Sequence, residues 1–288
     1  MIYDIPHCSP GGDRHILVEF GNEMNIELNF VSQNLGKILL EHVKGVIETA
    51  PCFASLLVHY DPDIITYNSI KIEILKLFSS LGPSDNIELK SRLFYFPTVY
   101  LDPWTEECVE NYCKTIAKKQ PDPEMIAELN NLKDVEQFKR VHSGTEYWIA
   151  ALGFWPGLPF MMPLDPRCKL TAPKYNPPRL TTPKGAVGMG GGSTAIYPEA
   201  LPGGYQIFGR IPMPIWDPNK SFDVFEDSIC LFQPGDRVKF VPCTVDEFKE
   251  IEAQVEDKTY NYNVVDYQKF SVKQYKEWLE QLDLDKRF

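Results

Sequence analysis

Two kinds of hydrophobic spacing alternate along the first hundred positions. Residues 15–20 (HILVEF) form a short apolar run of strand type, whereas residues 30–43 place Val31, Leu35, Ile38, Leu39 and His42 at helical spacing. Two extended runs follow at 46–50 and 53–60, with Pro51 and Cys52 at the turn between them. A second helix is predicted over 67–81, where Ile70, Ile74, Leu77, Phe78 and Leu81 make one apolar stripe that Gly82 and Pro83 bring to an end. Residues 92–96 then close the unit as another strand. The order βαββαβ is that of a ferredoxin-like split domain over residues 1–98. Its Leu, Ile and Val positions are read as core, which makes this part a scaffold.

The pattern changes after that. Residues 99–144 turn polar and helical: 106–118 puts Val109, Tyr112, Cys113 and Ile116 on one face, while Asp122 (followed by Pro123) and Asp134 are N-cap candidates. This stretch is expected to be a solvated helical insertion. Residues 146–154 read as a buried strand, and short strands are expected at 185–189, 205–211, 229–232 and 237–241, separated by Gly and Pro turns. That spacing points to a closed or nearly closed β-barrel, though periodicity does not separate a barrel from a sandwich. After residue 270, Val272, Tyr275, Trp278, Leu279 and Leu282 make an amphipathic helix, grouped with a C-terminal domain over 145–288. The fold class expected is therefore α+β.

Composition singles out residues 153–210, which hold ten of the 18 glycines and ten of the 24 prolines. Such content would mean disorder were it not for Phe154, Trp155, Phe160, Met161, Met162, Tyr175, Tyr197, Tyr205 and Phe208, whose apolar area offsets the entropy of ordering loops. Elsewhere the chain is ordinary. A formal net charge of −11 disfavours nucleic acid and anionic membrane as partners. No apolar run has the length of a membrane span, which takes roughly 20 residues, and no signal peptide is evident, so cytoplasm is the expected compartment. The seven cysteines are scattered and include no C-x-x-C pair, so neither a disulfide framework nor a metal site is expected.

Two chemistries are set aside by residue type. All five histidines (7, 15, 42, 59 and 142) precede the glycine-rich segment, which leaves that half without a local imidazole for a Ser-His or Cys-His pair. The run Gly188-Met-Gly-Gly-Gly192 lacks the Lys-Ser/Thr ending of a phosphate loop and no helix start follows it. Gly190 and Gly191 are read instead as a place where a flat group can approach the backbone closely.

Four stretches resemble the allophanate hydrolase subunit 1 family: GFWPGLPF (153–160), LDPR (164–167), KYNPPRLTTPKGAVGMGG (174–191) and AIYPEALPGGYQIFGR (195–210). GGDRHILVEFG (11–21) and GVIETAPCFASLLVHYDP (45–62) resemble its urea carboxylase branch. The resemblance implies a cyclophilin-like barrel for the second half. It also implies carboxyl transfer from biotin, carried as carboxybiotin on a separate protein, to a nitrogen of urea or a related amide or guanidine. Partners implied are an allophanate hydrolase subunit 2-type protein, a biotin carboxylase and a biotin carrier. No ATP-grasp domain or biotinylated Met-Lys-Met motif is present, so the chain is expected to be one subunit of an assembly, inactive alone.

Transfer to nitrogen requires that water be expelled, the acceptor oriented and negative charge stabilised. Under that reading Asp165 accepts hydrogen bonds from the acceptor N–H groups, and Lys174 and Arg179 offset anionic charge. Tyr175, Asn176, Gly190, Gly191, Tyr197 and Gln206 shape the pocket for substrate or biotin. Each also has a plain structural reading, as a turn former or a solvated loop residue. Two further functions stay open. GFWPGLPF and IYPEALPGG look closer to the ATP-dependent 5-oxoprolinase branch, and some relatives inhibit histidine kinases.

Overall fold

The computed structural model describes residues 1–288 and divides into two compact units: Met1–Ser91 with Tyr267–Leu282, and Arg92–Asp266 with Asp283–Phe288. In the first, strands β1 (Ile2–Pro10) and β2 (His15–Gly21) precede helix α1 (Ile26–His42), strands β3 (Val46–Pro51) and β4 (Ser55–Tyr60), and helix α2 (Tyr67–Ser80). The strands form an antiparallel sheet in the order β1-β2-β4-β3. Alternation along β2 and β4 turns Ile16, Val18, Phe20, Leu56, Val58 and Tyr60 to one side, where they pack with Leu35 and Leu39 of α1 and Ile70 and Ile74 of α2. The helix starts are chemically marked: Asn25 accepts the Glu27 N–H, and Thr66 accepts the Ser69 N–H.

The order strand, helix, strand, strand, helix thus follows the hydrophobic pattern, but the closing strand differs from expectation. The place beside β2 is taken by Ile2–Pro10, and residues 92–96 belong to the other unit, inside β5 (Glu88–Tyr100). The physical reason is burial. Phe94, Phe96, Val99 and Tyr100 are all buried, and β5 runs between two neighbouring strands in a larger sheet. In β1 only Pro6 is buried, a pattern suited to a sheet edge.

The second unit adds helices α3 (Pro103–Thr115), α4 (Asp122–Leu129) and α5 (Val135–Ser143), then strands β6 (Glu146–Leu152), β7 (Pro159–Pro163), β8 (Arg179–Thr182), β9 (Ala186–Gly190), β10 (Ser193–Ile196), β11 (Leu201–Gly203), β12 (Gln206–Arg210) and β13 (Arg237–Cys243), helix α6 (Val245–Glu256) and the start of strand β14 (Asn263–Ser271), whose residues from Tyr267 on fall in the first unit. Strands β12-β9-β10-β7-β6-β13-β5 follow one another, and β12 pairs back onto β5 through Gly209 with Tyr100 and Arg210 with Val99, closing a barrel. Strand β14 extends the order beyond β5, and β8 pairs with β11 as a separate ribbon. Phe94, Phe96, Ile149, Met161, Val187, Phe208 and Phe240 share the main core. Residues 229–232, expected as a strand, contribute only a bridge between Trp216 and Cys230.

Residues 102–143 are not merely solvated. Phe138, Val141 and His142 of α5 are fully buried, and Asp134 caps α5 by accepting the Gln137 N–H at 2.7 Å. Asp122 does not cap: Pro121 is the N-cap of α4, and the Asp122 carboxylate is wholly buried. Helix α7 (Val272–Leu279), expected with the barrel, falls in the first unit, where Tyr275 meets Phe30 edge-on at 5.7 Å and Lys276 Nζ reaches Glu27 and Asp85 at 2.9 and 2.8 Å. Its apolar stripe does not encode which core it joins. No helix is long and apolar enough to cross a membrane.

Candidate active site

The glycine- and proline-rich loop between β7 and β8 is fixed from below by a buried polar network. Asp122 accepts the Tyr175 phenolic O–H at 2.6 and 2.7 Å and the Ile207 backbone N–H at 2.7 Å, and it pairs with Lys119. Burial, and then the neighbouring carboxylate, hold the Tyr175 phenol well above its ordinary range, so it remains a donor. The Arg179 guanidinium stacks 4.4 Å over the Tyr175 ring and donates to the Tyr205 carbonyl at 2.6 Å and to Thr182 Oγ1 at 3.2 Å. Tyr112 of α3 donates to the Pro177 carbonyl, next to the cis Asn176–Pro177 bond. A two-residue bridge, Ala172 with Gly191, secures the other side.

Above this network lies a cavity of about 240 Å³ lined by Phe154, Phe160, Lys174, Tyr197, Gly203, Gly204 and Tyr205, among others. Lys174 is exposed, with its ammonium 5.4 Å over the Tyr205 ring. Glycine is required in the wall: a Cβ on Gly203 would stand 2.3 Å from Tyr197 Oη, and one on Gly190 would stand 2.5 Å from the Tyr205 ring. Burial raises the Tyr197 phenol, with Arg179 opposing the shift, so a protonated hydroxyl faces this wall. Gln206 is 1% exposed. Its amide donates to the Pro173 carbonyl at 2.6 Å and its buried Oε1 has no hydrogen-bond partner.

The expected residues therefore fall into four places. Lys174 and Tyr197 line the cavity. Tyr175, Arg179, Gly190, Gly191 and Gln206 build its support, and Arg179, 2% exposed, has its donors engaged by protein groups. Asn176 is exposed on the loop. Asp165 lies elsewhere in the unit, 3% exposed, and caps the turn Pro166–Cys168. Its carboxylate accepts the Arg167 backbone N–H at 2.9 Å, Nε–H at 3.0 Å and Nη2–H at 2.7 Å.

A model of the carboxyltransferase domain, subdomains C and D, matches residues 6–224. The chain belongs to this carboxyltransferase-domain family. Among its relatives, the urea amidolyase of Lachancea kluyveri is 32% identical over 279 residues, covering 94% of this chain and 15% of that protein. A 5-oxoprolinase subunit of Bacillus subtilis is 30% identical over 241 residues, covering 80% of this chain and 90% of that protein. The urea carboxylase crystal structure of Kluyveromyces lactis superposes with a TM-score of 0.85 at 29% identity, over 96% of this chain and 25% of that one. The carboxyltransferase domain described here thus spans about a seventh of the length of the curated amidolyase it matches first.

Three features of this carboxyltransferase domain were not legible as functional. Asp122 resembled a cap because Pro123 follows it; the available signal was Lys119 three residues before, a charge partner in the segment between α3 and α4. Tyr112 is one of several apolar residues on α3 and gives no sign that its hydroxyl holds the loop. His142 precedes the glycine-rich segment in sequence yet touches it in space: Nδ1 lies 2.7 Å from Tyr100 Oη and Nε2 lies 3.4 Å from Thr194 Oγ1. Burial lowers its pKa to about 3, so it is neutral, and its neighbours are phenolic and aliphatic hydroxyls inside the core.

Proposed function

We propose that this chain is the subdomain C and D part of a biotin-dependent carboxyltransferase that carboxylates a nitrogen of urea or a related amide or guanidine. It works with a subunit 2-type partner, a biotin carboxylase and a biotin carrier. The observation that carries this reading is the likeness to the Kluyveromyces lactis urea carboxylase over 96% of the chain, at a TM-score of 0.85. The cavity supports it. A ring with one polar edge, as the ureido group of biotin presents, suits aromatic walls beside a single ammonium, and Lys174, Tyr197, Gly203, Gly204 and Tyr205 would hold it. Biotin, when bound, supplies an activated carboxyl group.

The chain's own residues would act by position and charge. Lys174, exposed at the edge of the cavity, offsets the negative charge of the migrating carboxylate. Arg179 acts through the loop, since its donors hold Tyr205 and Thr182. Asn176 meets the substrate from the exposed loop, while Tyr175, Gly190, Gly191 and Gln206 keep the wall in shape. Asp165 lies outside this cavity with its carboxylate buried against Arg167, so it acts by holding the turn that leads to Lys174 rather than by meeting the acceptor. Three Arg167 N–H groups make four hydrogen bonds to that carboxylate, which fill its lone-pair positions.

A second reading has its own support: the Bacillus subtilis 5-oxoprolinase subunit matches over 90% of its length, as a free-standing chain of comparable extent. Complexes recovered from native cells separate the two. ATP-dependent incorporation of labelled bicarbonate that requires urea, guanidine or an amide supports carboxyl transfer. Ring opening of 5-oxoproline with ATP and no bicarbonate requirement replaces it with lactam hydrolysis.

A further inference from the structure

Arg287 and Phe288 lie about 120 residues beyond the Asp165–Arg167 turn in sequence and converge on it in the fold. The Arg287 guanidinium donates to three backbone carbonyls: Arg167 at 2.9 Å, Asn130 at 3.1 Å and Lys169 at 2.6 Å. Asn130 is the C-cap of α4, and Lys169 is the C-cap of the turn that Asp165 opens. One side chain thus gathers carbonyls from two helical ends, where such groups lack intrahelical partners and a cation is favoured. The Phe288 ring lies 4.9 Å from the Arg167 guanidinium carbon, on the group that grips Asp165, and the Phe288 carbonyl accepts from Gln137 of α5 at 3.0 Å. Beyond the turn, the Asn130 side chain pairs with both the N–H and the carbonyl of Thr171, three residues before Lys174.

We propose that Arg287 and Phe288 are positioning residues, a strap that holds the Asp165–Arg167 ion pair in its orientation and ties the segment leading to Lys174 onto α4. This rests on the reading of Asp165 and Lys174 given above. Without the strap, Arg167 keeps its bonds to Asp165 but loses the stacked ring and the fixed carbonyl that orient it, and the carboxylate turns with it.

The test uses the full chain labelled with ¹⁵N, comparing wild type, Arg287→Ala, Phe288→Ala and Arg287→Lys. In Arg287→Ala and Phe288→Ala the Arg167 Nε–H resonance should broaden or disappear, and amide exchange over 167–169 should accelerate at least about tenfold, while exchange in the barrel strands is unchanged. Arg287→Lys, able to reach one or two carbonyls, should recover part of the protection. Unchanged exchange and an intact Arg167 resonance overturn the strap. In the active complex, Arg287→Ala should lower kcat with little change in KM. If Asp165→Asn lowers turnover and Arg287→Ala does not, the strap inference falls and the Asp165 role stands. If Asp165→Asn has no effect, the Asp165 role falls, and the exchange measurements still decide whether the strap exists.

Discussion

Replacing Asp122 with alanine removes the one acceptor that joins α4, the loop carrying Tyr175, and strand β12. The Tyr175 hydroxyl and the Ile207 N–H, at 2.6 to 2.7 Å from the carboxylate, are both left without an acceptor in a dry site. Hydrogen bonds to a charged group contribute about 1.5–3 kcal/mol each. Lys119 keeps the Gln120 carbonyl at 2.9 Å and the Tyr175 ring at 4.4 Å, so the loss of its carboxylate partner is partly compensated. Two such losses predict about 3–6 kcal/mol of destabilisation, overlapping the range of about 3–5 kcal/mol for breaking one side of a buried ionic contact. At roughly 2–4 °C per kcal/mol for a unit of this size, Tm falls by on the order of 10 °C. Urea unfolding followed by tryptophan fluorescence reads it, because Trp104, Trp148, Trp155 and Trp216 all lie in the barrel unit. In a double-mutant cycle with Tyr175→Phe the coupling should be about 1–2 kcal/mol. A loss under about 1 kcal/mol in Asp122→Ala, with no coupling to Tyr175, would refute the claim that this network holds the loop.

Three other outcomes follow from the same structure. His142 has a folded pKa near 3 against about 6.5 when unfolded, so below pH 6.5 the unfolded chain takes up a proton that the folded chain refuses. Barrel stability should therefore fall with pH across that window, by up to about 1.4 kcal/mol per unit, and His142→Asn should flatten the slope in urea melts at pH 5 to 7. Lys174→Ala, at an exposed position, should change stability by less than about 0.5 kcal/mol while lowering transfer at least tenfold; equal activity would remove Lys174 from the site. Gly185→Ala combines a φ of +76° with a Cβ only 2.2 Å from the Ile211 carbonyl oxygen, and calorimetry should show a loss of about 2–4 kcal/mol.

What could be read from the chain was the part governed by local chemistry. The stripes of α1 and α2, the alternation along β2 and β4, and the cap at Asp134 all express themselves within a few residues. Partner choice does not. Residues 92–96 carry a strand signal that is equally compatible with two sheets, and only the demand for burial on both faces places them in the barrel. Residues 2–10 alternate too weakly to announce themselves, because a sheet edge buries almost nothing. Asp122 and His142 show the same limit at the site. Each has a common local meaning, cap or remote imidazole, that is overruled by contacts 52 to 85 residues away. Arg179 reads as a loop cation, whereas folding engages its donors with the Tyr205 carbonyl and Thr182.

Membership of a carboxyl-transferring assembly is tested by the composition of the native complex. The tagged chain, recovered from its own cells, is probed with streptavidin alongside mass spectrometry of all stoichiometric partners. Carboxyl transfer from biotin predicts a co-purifying biotinylated protein together with a subunit 2-type partner. Stoichiometric partners of which none carries biotin would contradict it.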